Sequence, residues 1–318
     1  MKLKKPKFWD LKSPNFLAYL LYPLTIPIKL NNILLKIITK KKFQEIKTIC
    51  IGNIYLGGTG KTPTTLKLYE LLKSLSKKVV TAKKLYSDQQ DEQTILNDRS
   101  EFITANTRQE IIIKAIRKNY ELIIFDDGLQ DRKIDYDIKF VCFDCQNWIG
   151  NGCIIPSGPL REKIESLKNY DGVFLKNLEK NHMSEEISSM IKTINSKIKI
   201  FNSYVNIKNI DTFDLSEKYL IFSGIGNAKS FEKLLTKNKF NIIKEITFPD
   251  HNKYKISDIN KIIKIAKEMG AKIITTEKDF VKIPNDFKKS INFVKIDLKI
   301  ENEDNLLKFI KSKIYETN

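Results

Sequence analysis

Twelve residues, Gly52-Asn53-Ile54-Tyr55-Leu56-Gly57-Gly58-Thr59-Gly60-Lys61-Thr62-Pro63, constrain the fold more than any other part of this 318-residue chain. They follow an apolar run, Ile46 to Ile51, and lead into a pattern that puts Leu68, Leu71, Leu72 and Leu75 on one helical face. The order is strand, glycine-rich turn and helix N-terminus, with Lys61-Thr62 where a nucleotide-binding P-loop carries them. Phosphate binding needs that order. Backbone N–H groups of the turn converge on the anion, the helix dipole favours negative charge, the Lys reaches the β/γ-phosphates and the Thr hydroxyl holds Mg²⁺. The usual spacing has a glycine where Tyr55 stands, and the run Gly57-Gly58-Thr59-Gly60 supplies the backbone freedom instead. Tyr55 through Thr62 are therefore the expected ATP-binding residues, the bland alternative being a glycine-rich turn that holds nothing.

The length suffices for two domains and an ample core. Four cysteines, Cys50, Cys142, Cys145 and Cys153, mostly lie in or beside apolar runs, and Cys142-x-x-Cys145 has only His182 and His251 to support a metal site. Buried reduced thiols in a reducing cytoplasmic compartment are expected. The net charge is +18, yet only five of the 56 basic residues are Arg. Half of that charge falls in residues 1–42, which carry ten Lys and one Asp.

The same segment holds Phe16 to Ile28, thirteen uncharged residues interrupted by Pro23 and Pro27, and then Ile33 to Ile38 before Lys40-Lys41-Lys42. A bilayer span needs about 20 apolar residues, so this stretch does not cross a membrane as a helix. Aromatic residues (Phe8, Trp9, Phe16, Tyr19, Tyr22) interleaved with Lys suit a helical segment lying on an anionic membrane surface. A helix packed on the core with solvated lysines is the alternative. Nucleic acid is not an expected partner, because the basic segment is also apolar and Arg, which reads base edges, is scarce.

Apolar strand runs at Thr48–Ile51, Val79–Ala82, Leu122–Phe125 and Phe140–Phe143 alternate with helical patterns at Thr62–Leu75 and Thr107–Asn119. Such alternation predicts an α/β fold with a P-loop NTPase-type parallel sheet. A polar stretch near 206–216 precedes a second alternating set: strand 219–222, helix 230–235, strand 242–248, a helix with Ile259, Ile262, Ile263 and Ala266, strand 273–275 and a helix with Leu306, Leu307 and Ile310. The expected organisation is a membrane-contact segment at 1–42, a kinase-like domain at 43–208 and a smaller α/β lobe at 209–318, with a cleft between the two lobes. The strand Leu122–Phe125 ends in Asp126-Asp127, and a carboxylate at such a strand end sits across from the P-loop Thr in the Mg²⁺ environment. Composition alone makes Asp88, Asp91 and Glu92 an ordinary polar loop and His251 an exposed one.

Taken together, the segments resemble the tetraacyldisaccharide 4'-kinase family, the lipid A 4'-kinases of Gram-negative bacteria. The matching pieces are GNIYLGGTGKTP at 52–63, DDGLQ at 126–130, NGCIIPSGPLRE at 151–162, FSGIGNAKSF at 222–231, FPDHNKY at 248–254 and TTEKD at 275–279, in the family's order over nearly the whole chain. The resemblance implies transfer of the γ-phosphate of ATP to the 4'-hydroxyl of a tetraacyldisaccharide 1-phosphate, peripherally at the cytoplasmic face of the inner membrane. It places the family's acidic G-D-E-P motif on Gln90-Asp91-Glu92-Gln93. By that carry-over Asp91 is the base for the sugar hydroxyl, His251 supports it, and Lys61 completes the catalytic set. Glu92, Thr62, Asp126 and Asp127 are then the Mg²⁺ candidates, with Gln130 and Arg161 toward the lipid substrate.

Departures from the pattern are local. The family's S-R-G-Y-G after the second strand is replaced in Thr81-Ala82-Lys83-Lys84-Leu85-Tyr86, leaving Lys83 or Lys84 for the Arg contact without bidentate geometry. The His that ends the family's DDGLQH is Asp131, and the altered surroundings of Asp91 leave Asp88 as the fallback base. A membrane-bound P-loop ATPase acting as a nucleotide switch is the alternative from another class; it has no need of His251.

Overall fold

The computed structural model describes residues 5–38, 45–75, 78–86, 89–178 and 182–314. In chain order the helices are α1 (Phe16–Leu21), α2 (Thr25–Ile38), α3 (Lys61–Lys73), α4 (Gln90–Arg99), α5 (Arg108–Arg117), α6 (His182–Ile194), α7 (Ala228–Lys237), α8 (Ile256–Glu268), α9 (Glu277–Phe280) and α10 (Glu303–Ile314). The strands are β1 (Lys47–Gly52), β2 (Val79–Lys84), β3 (Phe102–Ala105), β4 (Leu122–Asp126), β5 (Ile138–Asp144), β6 (Gly172–Asn177), β7 (Lys199–Ile207), β8 (Lys218–Ser223), β9 (Asn241–Thr247), β10 (Lys272–Thr276), β11 (Asn292–Val294) and β12 (Ile296–Ile300). Two compact units result. Of the described residues, one gathers those within 5–85, 99–204 and 299–314, and the other those within 86–98 and 205–298. The polar stretch expected to separate the lobes begins next to the boundary at 204/205. The short segment 86–98 joins the later unit and the C-terminal segment joins the earlier one, exchanges that chain order does not reveal.

The first unit is built on a sheet of order β12-β7-β6-β5-β1-β4-β2-β3. Every pairing from β7 to β3 is parallel. The α/β parallel architecture expected from the sequence is thus the observed one. Burial explains the sheet's centre: β4 reads LIIFD and is buried at every position, as strands covered on both faces by crossover helices must be. Alternate residues serve opposite faces. Val141 and Phe143 of β5 pack with Ile187 and Ile191 of α6, whereas Phe140 meets Phe174, Phe201 and Phe309 of α10 with ring centroids 5.0–6.1 Å apart.

The register matters for chemistry. β1 lies between β5 and β4, and Ile51 pairs with Asp126, so the turn that follows β1 begins beside the acidic end of β4. This is the point where the sheet's connections diverge to opposite sides, where α/β sheets bind ligands.

The N-terminal segment is helical. Asn15 caps α1 by accepting from the Ala18 N–H at 3.1 Å. Ala18 and Trp9 are buried, but Phe16, Tyr19, Leu20 and Leu30 are exposed by 78, 65, 63 and 61 %. Among the described residues no helix is long and apolar enough to cross a membrane.

The second unit holds an all-parallel sheet of order β11-β10-β8-β9. Ile259, Ile262 and Ala266 of α8, spaced at helical period, bury against Leu220, Phe222 and Ile273. α4 belongs here up to residue 98, presenting Asp91, Ile95 and Leu96 to the interior.

Phe140 is fully buried in the aromatic cluster. Phe140→Ala should destabilise the protein by about 3–5 kcal/mol, measured as a lower denaturation midpoint with an unchanged slope.

Candidate functional site

The glycine-rich turn is held from outside by its own chain. The Asn53 side-chain amide donates to the Tyr55 carbonyl at 2.6 Å and to that of Gly57 at 3.2 Å. Leu56 N–H donates to Pro159 O at 2.8 Å and Arg161 N–H to Ile54 O at 2.7 Å, so the segment 151–162 lies alongside the turn. Tyr55 explains the missing glycine: its ring is buried, and its hydroxyl donates to Asp10 Oδ1 at 2.7 Å beside the Lys5 ammonium. Tyr55 thus ties the turn to the N-terminal segment, and its backbone pairs with Leu160. With the Leu56 N–H committed, the donors available to a phosphate begin further on, toward the glycines.

Gly60 has φ +90° and caps α3, and a Cβ there would lie 3.0 Å from Lys176 Cδ. Only glycine fits both conditions. α3 then opens with Lys61 and Thr62, whose N–H groups have no intrahelical carbonyl to meet, and Pro63 needs none. A first turn of this kind is an anion site.

Behind it stand the acids. Thr62 Oγ1 donates to Asp126 Oδ2 at 2.8 Å, and Lys61 Nζ lies 3.6 Å from Asp127 Oδ2. Arg161 Nη1 reaches Asp127 Oδ1 at 3.4 Å and Gln130 Oε1 at 3.0 Å, while Gln130 Nε2 donates to Asn53 O at 3.0 Å. The structure therefore brings Lys61, Thr62, Asp126, Asp127, Gln130 and Arg161 together. A Thr hydroxyl and two carboxylates form a hard oxygen donor set, which fits Mg²⁺ bound through few protein ligands and completed by phosphate and water. Cys142 and Cys145 are buried, and burial pushes both thiols up to about 12. They are protonated packing groups, as the sequence suggests.

The second unit carries its own polar constellation. Asp91 sits in the first turn of α4 and is almost fully buried. His251 follows Pro249-Asp250 after β9, with φ +54° and its N–H on the Gly224 carbonyl at 3.1 Å. Its Nδ1 stands 3.0 and 3.1 Å from the two Asp91 oxygens. Burial alone would raise the Asp91 pKa, but the His251 hydrogen bond and the charges of Lys278, His251 and Lys282 outweigh it and hold the carboxyl below its usual range. Lys278 Nζ lies 3.0 Å from Glu92 Oε1, 3.4 Å from Asp250 Oδ1 and 3.3 Å from His251 Nε2. Lys282 Nζ lies 3.6 Å from Asp91 Oδ2 and 2.7 Å from Asp279 Oδ1.

Fully buried Asp279 accepts from Gly224 N–H at 3.0 Å, Tyr254 Oη at 2.9 Å and Thr276 Oγ1 at 2.7 Å. It joins the FSGIG, HNKY and TTEKD segments. Glu92, one of the expected Mg²⁺ residues, is placed here against Lys278 and His251. Asp88 lies outside the described residues.

The family model for tetraacyldisaccharide-1-P 4'-kinase matches residues 16–315. The chain belongs to the tetraacyldisaccharide 4'-kinase family. It is 46 % identical over 308 residues to the tetraacyldisaccharide 4'-kinase of Pelagibacter ubique, covering 96 % of each chain. It is 32 % identical over 321 residues to that of Rickettsia conorii, covering 96 % of this chain and 97 % of the relative. The crystal structure of LpxK from Aquifex aeolicus in complex with ATP superposes with a TM-score of 0.69 at 22 % identity, over 94 % of this chain and 100 % of that one, and so shares the fold.

Two departures from the 4'-kinase pattern now have a physical account. Of Lys83 and Lys84, Lys83 is the one turned inward: it is fully buried with Nζ 3.2 Å from Asp126 Oδ2, also fully buried. Asp131, where the 4'-kinases have His, pairs with Arg108 Nη1 at 3.0 Å, and Arg108 also donates to the Asp127 carbonyl. The acidic turn, with Asp127 at φ +63°, is thereby held from behind. Lys83 was a sequence candidate only as a stand-in for that Arg, and neither Lys278 nor Lys282 was one, although both follow the TTE of a quoted motif. In Lys83→Met, Asp126 loses a buried counter-charge. Breaking one side of such a pair costs about 3–5 kcal/mol, and thermal unfolding should show a correspondingly large drop in Tm.

Proposed function

We propose that the protein transfers the γ-phosphate of ATP to the 4'-hydroxyl of a tetraacyldisaccharide 1-phosphate lipid A precursor, giving the 1,4'-bisphosphate. The glycine-rich turn and the first turn of α3 hold the phosphates, and Lys61 offsets charge on the group in transfer. Thr62 and the Asp126-Asp127 pair would hold Mg²⁺, and the ion supplies charge neutralisation of the phosphates. Asp91 accepts the proton of the attacking hydroxyl, oriented by His251. As the hydroxyl oxygen bonds to phosphorus, its O–H bond breaks toward Asp91 and ADP leaves with the bridging oxygen. Gln130 and Arg161 contact the lipid's polar head.

The observation that carries this reading is the bonded Asp91–His251 pair. A buried carboxylate held ionised against an imidazole is suited to take a proton from an alcohol, and a nucleotide switch has no use for it. The acceptor's acyl chains call for a membrane. The exposed Phe16, Tyr19, Leu20, Leu24 and Leu30, flanked by Lys12 and Lys29, suit peripheral contact with anionic lipid at the cytoplasmic face of the bacterial inner membrane.

Purified protein with ATP, Mg²⁺ and the disaccharide 1-phosphate should yield the bisphosphate; ATP turnover with no lipid product would support the switch instead. Asp91→Ala and His251→Ala should each lower kcat, by about 10²–10⁴-fold for Asp91, with the KM for ATP little changed. Near-normal turnover in Asp91→Ala would move the base elsewhere. Replacing Phe16, Tyr19 and Leu20 together by Ser should weaken binding to phosphatidylglycerol-containing liposomes in flotation; unchanged flotation would make the segment purely structural.

A further inference from the structure

We propose that Asp10 is a positioning residue for ATP, holding the glycine-rich turn in its phosphate-binding shape through the hydroxyl of Tyr55. The inference rests on the reading of that turn as the ATP site and makes the N-terminal segment part of it. The contact is fully formed on both sides. Tyr55 is 2 % exposed, and its ring packs with Ile154 and Leu160 and against Ile28 of α2. Its hydroxyl donates to Asp10 Oδ1 at 2.7 Å and accepts from Lys5 Nζ, which also donates to Asp10. Lys5 Nζ lies 4.7 Å from the ring centroid, so the cation holds the ring as well as its hydroxyl. Burial and the neighbouring carboxylate push the phenol well above its ordinary range, and it stays a donor.

A second route joins the same two parts of the chain. Lys7–Asp10 form a 3₁₀ turn in which Trp9 is buried. The Trp9 carbonyl accepts from Asn151 N–H and its Nε1–H donates to Pro156 O, both at 3.0 Å. Gly150 lets the loop come this close, since a Cβ there would lie 2.1 Å from the Trp9 carbonyl oxygen. The same loop offers Pro159 O to Leu56 N–H and pairs Leu160 with Tyr55. Residues 9 and 10 therefore reach residues 55 and 56 both directly and by way of the loop.

The consequence falls on phosphate binding. Beyond Leu56 the turn reads Gly57-Gly58-Thr59-Gly60, with Gly57 at φ +141° and Gly60 at φ +90°. Glycine gives up more conformational freedom on ordering than any other residue, so such a run leaves ordering to be done when the anion arrives. An anchor at the entry to the turn removes part of that cost in advance. It acts on the binding of the phosphates and not on the transfer that follows, so its loss belongs in KM and not in kcat. A glycine at position 55 would give Asp10 no side chain to hold.

Titrating the full-length protein with ADP and Mg²⁺ in a calorimeter reads the affinity of the turn without turnover, and steady-state kinetics with ATP give KM and kcat. Tyr55→Phe keeps the buried ring and loses the bond. It should weaken ADP binding and raise the KM for ATP by about three- to tenfold, with kcat little changed. Asp10→Ala should match it, and the double variant should be no worse than either single one, as for two partners of one bond. Asp10→Asn, whose amide oxygen still accepts from the Tyr55 hydroxyl, should bind ADP as the wild type does. So should Lys7→Ala, which removes an exposed charge from the same 3₁₀ turn.

Unchanged ADP affinity in Tyr55→Phe, even with a lowered Tm, would reduce the bond to an attachment of the N-terminal segment and overturn the inference. Equal losses in Asp10→Asn and Asp10→Ala, a loss in Lys7→Ala, or additive losses in the double variant would overturn it too, because charge or separate contacts would then be at work. A wild type that does not bind ADP would overturn instead the reading of the turn as the ATP site.

Discussion

The nucleotide-facing half of the molecule depends on one buried charge. Asp126 ends the central strand β4 with no exposure to solvent, and an isolated carboxylate in that position would be costly enough to neutralise itself. Its compensation is local: Lys83, equally buried, lies 3.2 Å away and Thr62 donates to it at 2.8 Å. The three residues come from the ends of β2 and β4 and the start of α3, so the pair also locks the register of strands and helix around the turn. β4 stands between β1 and β2, and the helix that leaves β1 must pass over it to reach β2. That crossing brings the hydroxyl of Thr62 onto the carboxylate.

The turn itself is shaped by segments far from it in sequence. Asp10 and Lys5 hold the Tyr55 hydroxyl, and Pro159 and Arg161 hold the backbone on either side. Trp9 is anchored in turn, its Nε1–H on Pro156 O at 3.0 Å and its carbonyl on Asn151 N–H at 3.0 Å. The Ser157 hydroxyl donates to the Ala18 carbonyl of α1. The helix that displays Phe16, Tyr19 and Leu20 is therefore continuous, through hydrogen bonds, with the loop expected to hold ATP. Replacing the first P-loop glycine by Tyr55 is what allows the connection, because only a long side chain with a terminal hydroxyl reaches Asp10.

How much of this was legible depends on burial and on sequence distance. β1, β2, β4 and β5 are unbroken apolar runs because both faces are covered, and they were read correctly. β7 was missed: KIFNSYVNI alternates apolar with polar residues and resembles a loop of mixed composition. α4, QDEQTILNDR, was missed because it buries little besides Asp91, Ile95 and Leu96. The turn, Thr62 and the Asp126-Asp127 pair could be found from local pattern, since strand, glycines and acid each carry a signature. The bond between Asp91 and His251 joins residues 160 positions apart, and no local pattern encodes it; resemblance alone suggested the pairing. Lys278 and Lys282 were hidden differently, by background: among 51 lysines, two more beside an acid carry no signal until burial singles them out.

Burial also separates the roles of the two lysine sites. Lys83 meets the buried Asp126 carboxylate at close range, so its charge offsets charge and stabilises a position. Lys278 lies among three carboxylates and an imidazole nitrogen, and most of its charge is already balanced by Glu92 and Asp250. The same ammonium lies 3.3 Å from His251 Nε2 and so joins the loop after β9 to α9. The other ring nitrogen, Nδ1, lies 3.0 and 3.1 Å from the two oxygens of Asp91. Asp279, fixing Gly224, Tyr254 and Lys282 from below, keeps the three contributing segments in one geometry.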